Sequence, residues 1–303
     1  MKILIIGGTQ FVGLAIAREA IRLGHEVDIF HRSDTVPVGT ESAQHLKGDR
    51  NRDVSALQTG TWDAVIDVCG YRPHEINALA DVFVDRVKKY VFISTCSVYD
   101  ALKIEANSDE SAPYVPLKNL YGLDPIDCSI NAMTYGALKV LCEEAVRLHY
   151  NNHLILRPVY VLGKDDHTKR FNVWVERFMN NKTVEVPLPT DAPFQYVSAD
   201  DLARFTLKAI QDDLTGDFHL AAPSGGMTFG EMIDELQTTL QSESSIVWVD
   251  KEAALDAPPG TYPFWQPEVH YLLTLNTEKA QSHGFQSQPL RVITEEVKAS
   301  LLS

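Results

Sequence analysis

With 303 residues, 45% of them apolar and 22% charged, the chain can hold one large domain or two moderate ones and has an ordinary globular composition. Its net charge of -14 disfavours a nonspecific nucleic-acid surface or an anionic membrane surface, since both call for clustered Lys and Arg. The four scattered cysteines form no CxxC pair, which argues against a zinc knuckle or disulfide framework. There is neither a basic-then-apolar leader nor an apolar run of about 18 residues, so a cytoplasmic protein that spans no membrane is expected.

Lys2 to Ile6 is a β-branched run of the kind buried on both faces of a sheet. A helical pattern follows from Phe11 to Leu23, with Leu14, Ala17 and Ile21 at helical spacing and Gly24 placed to end it. Glu26–His31, Trp62–Val68 and Lys89–Ser94 read as strands, and Glu75–Val84 as the helix between the last two. This alternation predicts a doubly wound parallel sheet. Asn131–Tyr150 is predicted as the longest helix of the first half, and His153–Leu156 as a strand stopped by Pro158.

Further along, Phe171–Met179 and Ala199–Ile210 are helical in spacing. Val184–Pro193 reads as strand and loop, and Asp217–Ala221 as a strand. Thr228 and Glu231 form a capping-box pattern, and two more helical stretches lie near Glu278 and Val292. With no repeat or flexible linker, the halves should pack as one unit. We expect a nucleotide-binding domain over 1–163 and a smaller α+β substrate lobe over 164–303, with 194–223 packing back on the first domain.

The first turn carries the chemistry. Gly7 and Gly8 permit close backbone approach, and Gly13 lets the helix sit tightly on the strand. The free N–H groups at the helix start, around Thr9, Gln10, Phe11 and Val12, can then receive a pyrophosphate. Gln10 stands where the usual three-glycine fingerprint has its middle glycine. At the end of the second strand, Phe30-His31-Arg32-Ser33 lacks the acidic residue typical of NAD sites, and Arg32 suits a 2′-phosphate, so NADP is favoured over NAD. Asp34 is the alternative ribose ligand if the register differs by a residue or two.

Tyr135 and Lys139 lie four residues apart, on one face of the predicted helix. An ammonium beside the phenol would lower its pKa and make it an acid/base near neutral pH. His149 and His153 share that spacing, but Asn151-Asn152 separates them and no third ligand is near in sequence, so no metal site is expected. Lys164, His167 and Arg170 form either an anion-binding set or a solvated basic loop. Tyr262-Pro-Phe-Trp-Gln-Pro267 either lines a substrate mouth or packs internally.

The glycine turn, the Tyr135/Lys139 pair and Phe92-Ile-Ser-Thr-Cys-Ser-Val-Tyr99 together resemble the short-chain dehydrogenase/reductase superfamily, and most of all its extended or atypical epimerase/dehydratase-like members. Arg157-Pro158 and Gln195–Ala203 resemble later landmarks of that group. The resemblance implies a Rossmann fold, with Thr95 bonding the reacting oxygen and Ser94 or Ser97 as alternatives. It further implies Tyr135 as proton carrier, Lys139 on the nicotinamide ribose, Pro158 beside the nicotinamide, Asp49 at the adenine and Cys69 on the strand that passes the cofactor. Cys96-Ser97 replaces the acidic pair of the family's dehydratases, which argues against that chemistry.

The expected activity is an NAD(P)-dependent oxidoreductase or epimerase acting on a hydroxyl/carbonyl carbon of a small molecule, with nucleotide sugars among the candidates and a homodimer left open. The rival readings are a noncatalytic NADP-binding regulator and, because chloroplast stem-loop-binding proteins resemble this branch, an RNA-binding protein. Retention of Thr95, Tyr135 and Lys139 opposes the first, and the acidic balance opposes the second.

Overall fold

The computed structural model describes residues 1–120, 122–268 and 271–302. In chain order the first half contains β1 (Lys2–Ile6), α1 (Phe11–Arg22), β2 (Glu26–His31), β3 (Gln44–Lys47), β4 (Trp62–Asp67), α2 (Pro73–Phe83), β5 (Val87–Ile93), α3 (Tyr135–His149) and β6 (His153–Pro158). The second half contains β7 (Tyr160–Leu162), α4 (Arg170–Asn180), β8 (Thr183–Pro187), β9 (Pro193–Ser198), α5 (Ala199–Gln211), β10 (Gly216–Leu220), β11 (Ala222–Thr228), α6 (Phe229–Leu240), β12 (Ser245–Val249), α7 (Lys251–Asp256), α8 (Glu278–Ser282) and α9 (Leu290–Leu301).

Seven parallel strands form the central sheet in the order β10-β6-β5-β4-β1-β2-β3, the doubly wound Rossmann arrangement. The alternation of side chains along β1 explains its two covers. Ile3 and Ile5 point into a core shared with α1 and α5, whereas Leu4 and Ile6 point into one shared with α2 and α3. β10 joins the sheet beside β6, and α5 packs on α1, so this stretch of the second half completes the first unit.

A second core gathers Phe171, Trp174 and Phe178 of α4, Met232 and Leu236 of α6, and Ile293 and Val297 of α9. Phe194 and the loop residue Phe264 join it, next to the small β8–β12 and β7–β9–β11 sheets. The expected capping box is present: Thr228 Oγ1 accepts from the Glu231 N–H at 3.1 Å, and Glu231 accepts from the Thr228 N–H at 2.6 Å. Among the described residues, no helix is long and apolar enough to cross a membrane.

Two expected boundaries move, at α3 and β6, and β3 is added. α3 begins at Tyr135 rather than Asn131, because Asn131 Oδ1 accepts from the N–H groups of Met133 (2.9 Å) and Thr134 (3.2 Å) and holds a turn ahead of the helix. β6 runs through Pro158 instead of stopping at Leu156, its last pairing being to Leu220 of β10. The strand β3 lay outside the sequence reading and extends the sheet past β2.

Candidate active site

A cleft of about 440 Å³ opens at the carboxyl ends of the strands, where the sheet order reverses between β1 and β4. Of the expected cofactor residues, Gly7, Thr9, Gln10, His31, Arg32, Asp49 and Cys69 line it. Gly7 has φ +90°, and a Cβ there would meet Cys69 Sγ at 2.9 Å. A Cβ on Gly13 would meet the Gly7 carbonyl oxygen at 2.4 Å, so the start of α1 and the end of β1 approach more closely than any side chain allows. Gln10 is extended, with φ -144°, and therefore tolerates a Cβ where the usual fingerprint has glycine. Its side chain does not cap α1, and the first turn carries no acidic residue, which leaves an electropositive helix start facing a cradle suited to a pyrophosphate.

The other expected contacts lie behind this surface. Gly8 packs on Ile5 and Ile29, and Val12 packs against the first core. Phe11 meets His167 edge-on at 6.4 Å, and Pro158 is paired within the sheet. Arg32 is 81% exposed and its nearest carboxylate is Asp49 at 4.0 Å, so its guanidinium stands almost unengaged at the cleft mouth. Asp34 is paired with Lys47 and does not line the cleft. His31 Nε2 lies 2.9 Å from His45 Nδ1, and burial and that neighbour lower the His31 pKa.

Arg50 and Asp67 are features the sequence reading missed. Arg50 lines the cleft and donates to both oxygens of Asp67, at 2.9 and 2.7 Å, and to the Glu75 carbonyl. Asp67 also accepts from Tyr90 Oη (2.7 Å) and the Cys69 N–H (3.1 Å). Burial opposes the Asp67 charge, but Arg50 overcomes it and holds the carboxyl below its usual range. The pair clamps the turn carrying Asp49 to the end of β4 and to α2. Burial pushes the Cys69 thiol up to about 11, which suits packing and not nucleophilic attack.

The expected catalytic residues gather beside this cleft. Gly136 allows it: a Cβ there would lie 2.1 Å from the Ser97 carbonyl oxygen, so α3 starts hard against the turn after β5. Thr95 Oγ1 accepts from the Ser97 N–H at 3.1 Å and donates to Ser97 Oγ at 3.2 Å. Ser94 is held away by donating to Glu143 at 2.6 Å, within the buried ion-pair cluster around Arg157.

Tyr135 is half-buried. Burial and the neighbouring Tyr71 push its phenol up, and hydrogen bonding with Thr95 opposes the rise. The expected depression by Lys139 is therefore not what the structure shows. Lys139 Nζ donates to the carbonyls of Gly70 (3.0 Å) and Ile93 (2.8 Å), above the Phe92 ring, and burial lowers its own pKa. Those bonds place the ammonium beside Tyr71, which lines the cleft. Among the described residues, no cluster of metal-ligating side chains occurs; His149 bonds Asn77 and His153 bonds the Tyr150 carbonyl.

Residues 74–221 match the family model of the NAD-dependent epimerase/dehydratase family. A chloroplast stem-loop binding protein of Arabidopsis thaliana is 27% identical over 204 residues, which cover 61% of this chain but only 49% of that protein. The chain thus spans about half the length of that relative. A probable low-salt glycan biosynthesis reductase of Haloferax volcanii is 26% identical over 84% of this chain and 87% of that one. Among solved structures, the UDP-glucuronic acid 4-epimerase of Bacillus cereus in complex with NAD superposes with a TM-score of 0.71 at 16% identity, covering 99% of this chain and 96% of that one.

Proposed function

We propose, for a chain that belongs to the NAD-dependent epimerase/dehydratase family, an oxidoreductase or epimerase that acts on a hydroxyl/carbonyl carbon and uses Thr95, Tyr135 and Lys139. The observation that carries this reading is that Tyr135 neighbours both Thr95 and Tyr71, with Lys139 anchored beside Tyr71, next to a turn whose Gly7 and Gly13 leave no room for a Cβ. A bound nicotinamide would supply the hydride acceptor or donor. Gly7, Thr9 and Gln10 would hold its pyrophosphate, and Arg32 and His31 its adenosine end. Arg32 stands nearly unengaged and Asp34 is paired away, which supports NADP over NAD.

In this reading the raised phenol of Tyr135 is protonated at neutral pH, so it serves first as an acid. Thr95, tied to Ser97, orients that phenol and the reacting oxygen. Lys139 fixes the floor between β4 and β5. Nucleotide sugars are the leading substrate class, supported by the activity named for the Bacillus structure. The plant relative's name supports a stem-loop-binding reading, which the net charge of -14 opposes.

The test pairs two variants. Tyr135→Phe should keep NADPH binding and lose turnover in a panel of UDP-sugars with NAD or NADP; full activity in that variant refutes the acid/base role. Arg32→Ala should weaken NADPH binding more than NADH binding, and an equal effect defeats the 2′-phosphate assignment.

A further inference from the structure

We propose that Tyr160, Gln266 and Arg170 form a substrate-recognition wall that selects a hydroxylated compound bearing a phosphate or a carboxylate. This rests on the oxidoreductase reading, because it assigns the substrate side of the same site. Tyr160 packs against the cluster containing Cys96 and Val98, the segment that Thr95 opens. Gln266 Nε2 donates to Tyr160 Oη at 3.1 Å, while Gln266 Oε1 is buried without a partner. Turning the amide over exchanges the two roles but still leaves one polar atom unmatched. A buried polar atom in that state is unfavourable until something completes it. A ligand hydroxyl does so for either orientation, because it both donates and accepts.

Arg170 supplies the charge. Its guanidinium carbon lies 5.9 Å from the Tyr160 ring centre and 5.4 Å from that of Phe264. Nε donates to Thr168 Oγ1 at 3.1 Å, and among the described residues no carboxylate forms a salt bridge with it. Two aromatic faces therefore hold a guanidinium whose terminal nitrogens remain for an anion. Arg177 is the contrast: it stacks on Trp174 and Tyr262, but donates to the Thr261 carbonyl at 2.6 Å and so fastens the loop.

The loop itself is fixed. Trp174 Nε1 donates to the Pro263 carbonyl at 2.9 Å, and Trp265 Nε1 to the Pro189 carbonyl at 3.1 Å. Buried Phe264 sits in the left-handed region with φ +68°, a conformation an L side chain adopts only when its surroundings impose it. This loop lies outside residues 74–221, and the unmatched amide and the stacked guanidinium meet at the one ring of Tyr160.

The test is isothermal titration of the full chain, with NADPH present, using glucose 1-phosphate, glucuronate and uncharged glucose. The wild type should bind the better of the two anionic sugars at least about tenfold more tightly than glucose, as expected for a charge-assisted contact, and the tighter of the two identifies phosphate or carboxylate. Arg170→Gln should abolish that preference, Arg170→Lys should keep part of it, and Gln266→Leu should weaken both anionic sugars. All three variants should bind NADPH like the wild type, which shows that they fold. Unchanged sugar affinities in the variants, glucose bound as tightly as the anions, or no sugar bound at all would each overturn the wall. Failure of the wild type to bind NADPH or NADH would overturn the oxidoreductase reading instead.

Discussion

Asp67→Asn tests whether the buried pair beneath the cleft is what holds it together. Asp67 is fully buried and Arg50 has a side-chain exposure of 7%, with contacts of 2.7 and 2.9 Å. The carboxylate accepts two bonds from Arg50, one from Tyr90 and one from the Cys69 N–H. An amide cannot replace that set, since half of it is a donor. Arg50 would keep its charge, out of water and without a counterion, at a cost of about 3–5 kcal/mol.

That is a large part of the roughly 5–15 kcal/mol by which a folded domain is stable. Urea unfolding should show the midpoint falling with an unchanged slope. Asp67→Leu combined with Arg50→Met should lose less than the two single changes added, because an apolar pair leaves no charge stranded. NADPH affinity should fall in Asp67→Asn, since the turn carrying Asp49 loses its clamp. The carboxyl is held below its usual range, so its contribution is present above about pH 3.9 and lost as pH falls towards the folded value. A loss below about 1 kcal/mol, the size of an exposed pair, would refute the reasoning.

Gly13→Ala should cost about 1–3 kcal/mol and weaken NADPH binding, because the new methyl meets backbone at 2.4 Å and backbone cannot swing aside; wild-type melting and affinity would contradict it. Thr228→Ala should cost about 1 kcal/mol in urea unfolding through loss of the cap on α6, and no change would mean that the packing of α6 alone sets its start. His219, buried with Nε2 2.5 Å from Tyr99 Oη and Nδ1 2.8 Å from the Asn276 carbonyl, has its pKa lowered by burial. Neutral His219 therefore stabilises the fold above its unfolded pKa of about 6.5, and that stability drains away as pH falls below it. His219→Gln should flatten this part of the stability–pH curve, and an unaltered curve would assign the acid sensitivity elsewhere.

The sheet was legible where strands are buried on both faces. Lys2–Ile6 and Glu26–His31 announce themselves by composition, and Gly24, with φ +77°, ends α1 where expected. β3 was not legible, because Gln44-His-Leu-Lys47 is short and largely polar and becomes a strand only by pairing with β2. β12 is different: Ser245-Ile-Val-Trp-Val249 is a β-branched and aromatic run whose composition does carry a strand signal, and the fold pairs it with β8. In the site, the glycine turn and the Tyr135/Lys139 spacing are local patterns and could be read. Arg50 and Asp67 are 17 residues apart and share no pattern, so their pairing exists only in the folded chain. Gly136 did carry a signal, a glycine inside a helical stretch, whose reason is the Ser97 carbonyl against which it packs.

The spacing of Tyr135 and Lys139 also shows what a motif leaves unsaid. Four residues apart on a helix place both side chains on one face, but do not decide what each one bonds. Burial acts on the two in opposite directions, raising the phenol and lowering the ammonium, and so it favours the neutral form of each. Lys139 keeps its place through the carbonyls of Gly70 and Ile93, and Tyr135 keeps its through α3 packed on the Ser97 backbone. Position is therefore secured by contacts with the backbone. Under the acid role proposed for Tyr135, a phenol raised by burial would keep its proton until the reacting oxygen arrives, as an acid delivering that proton to a carbonyl must.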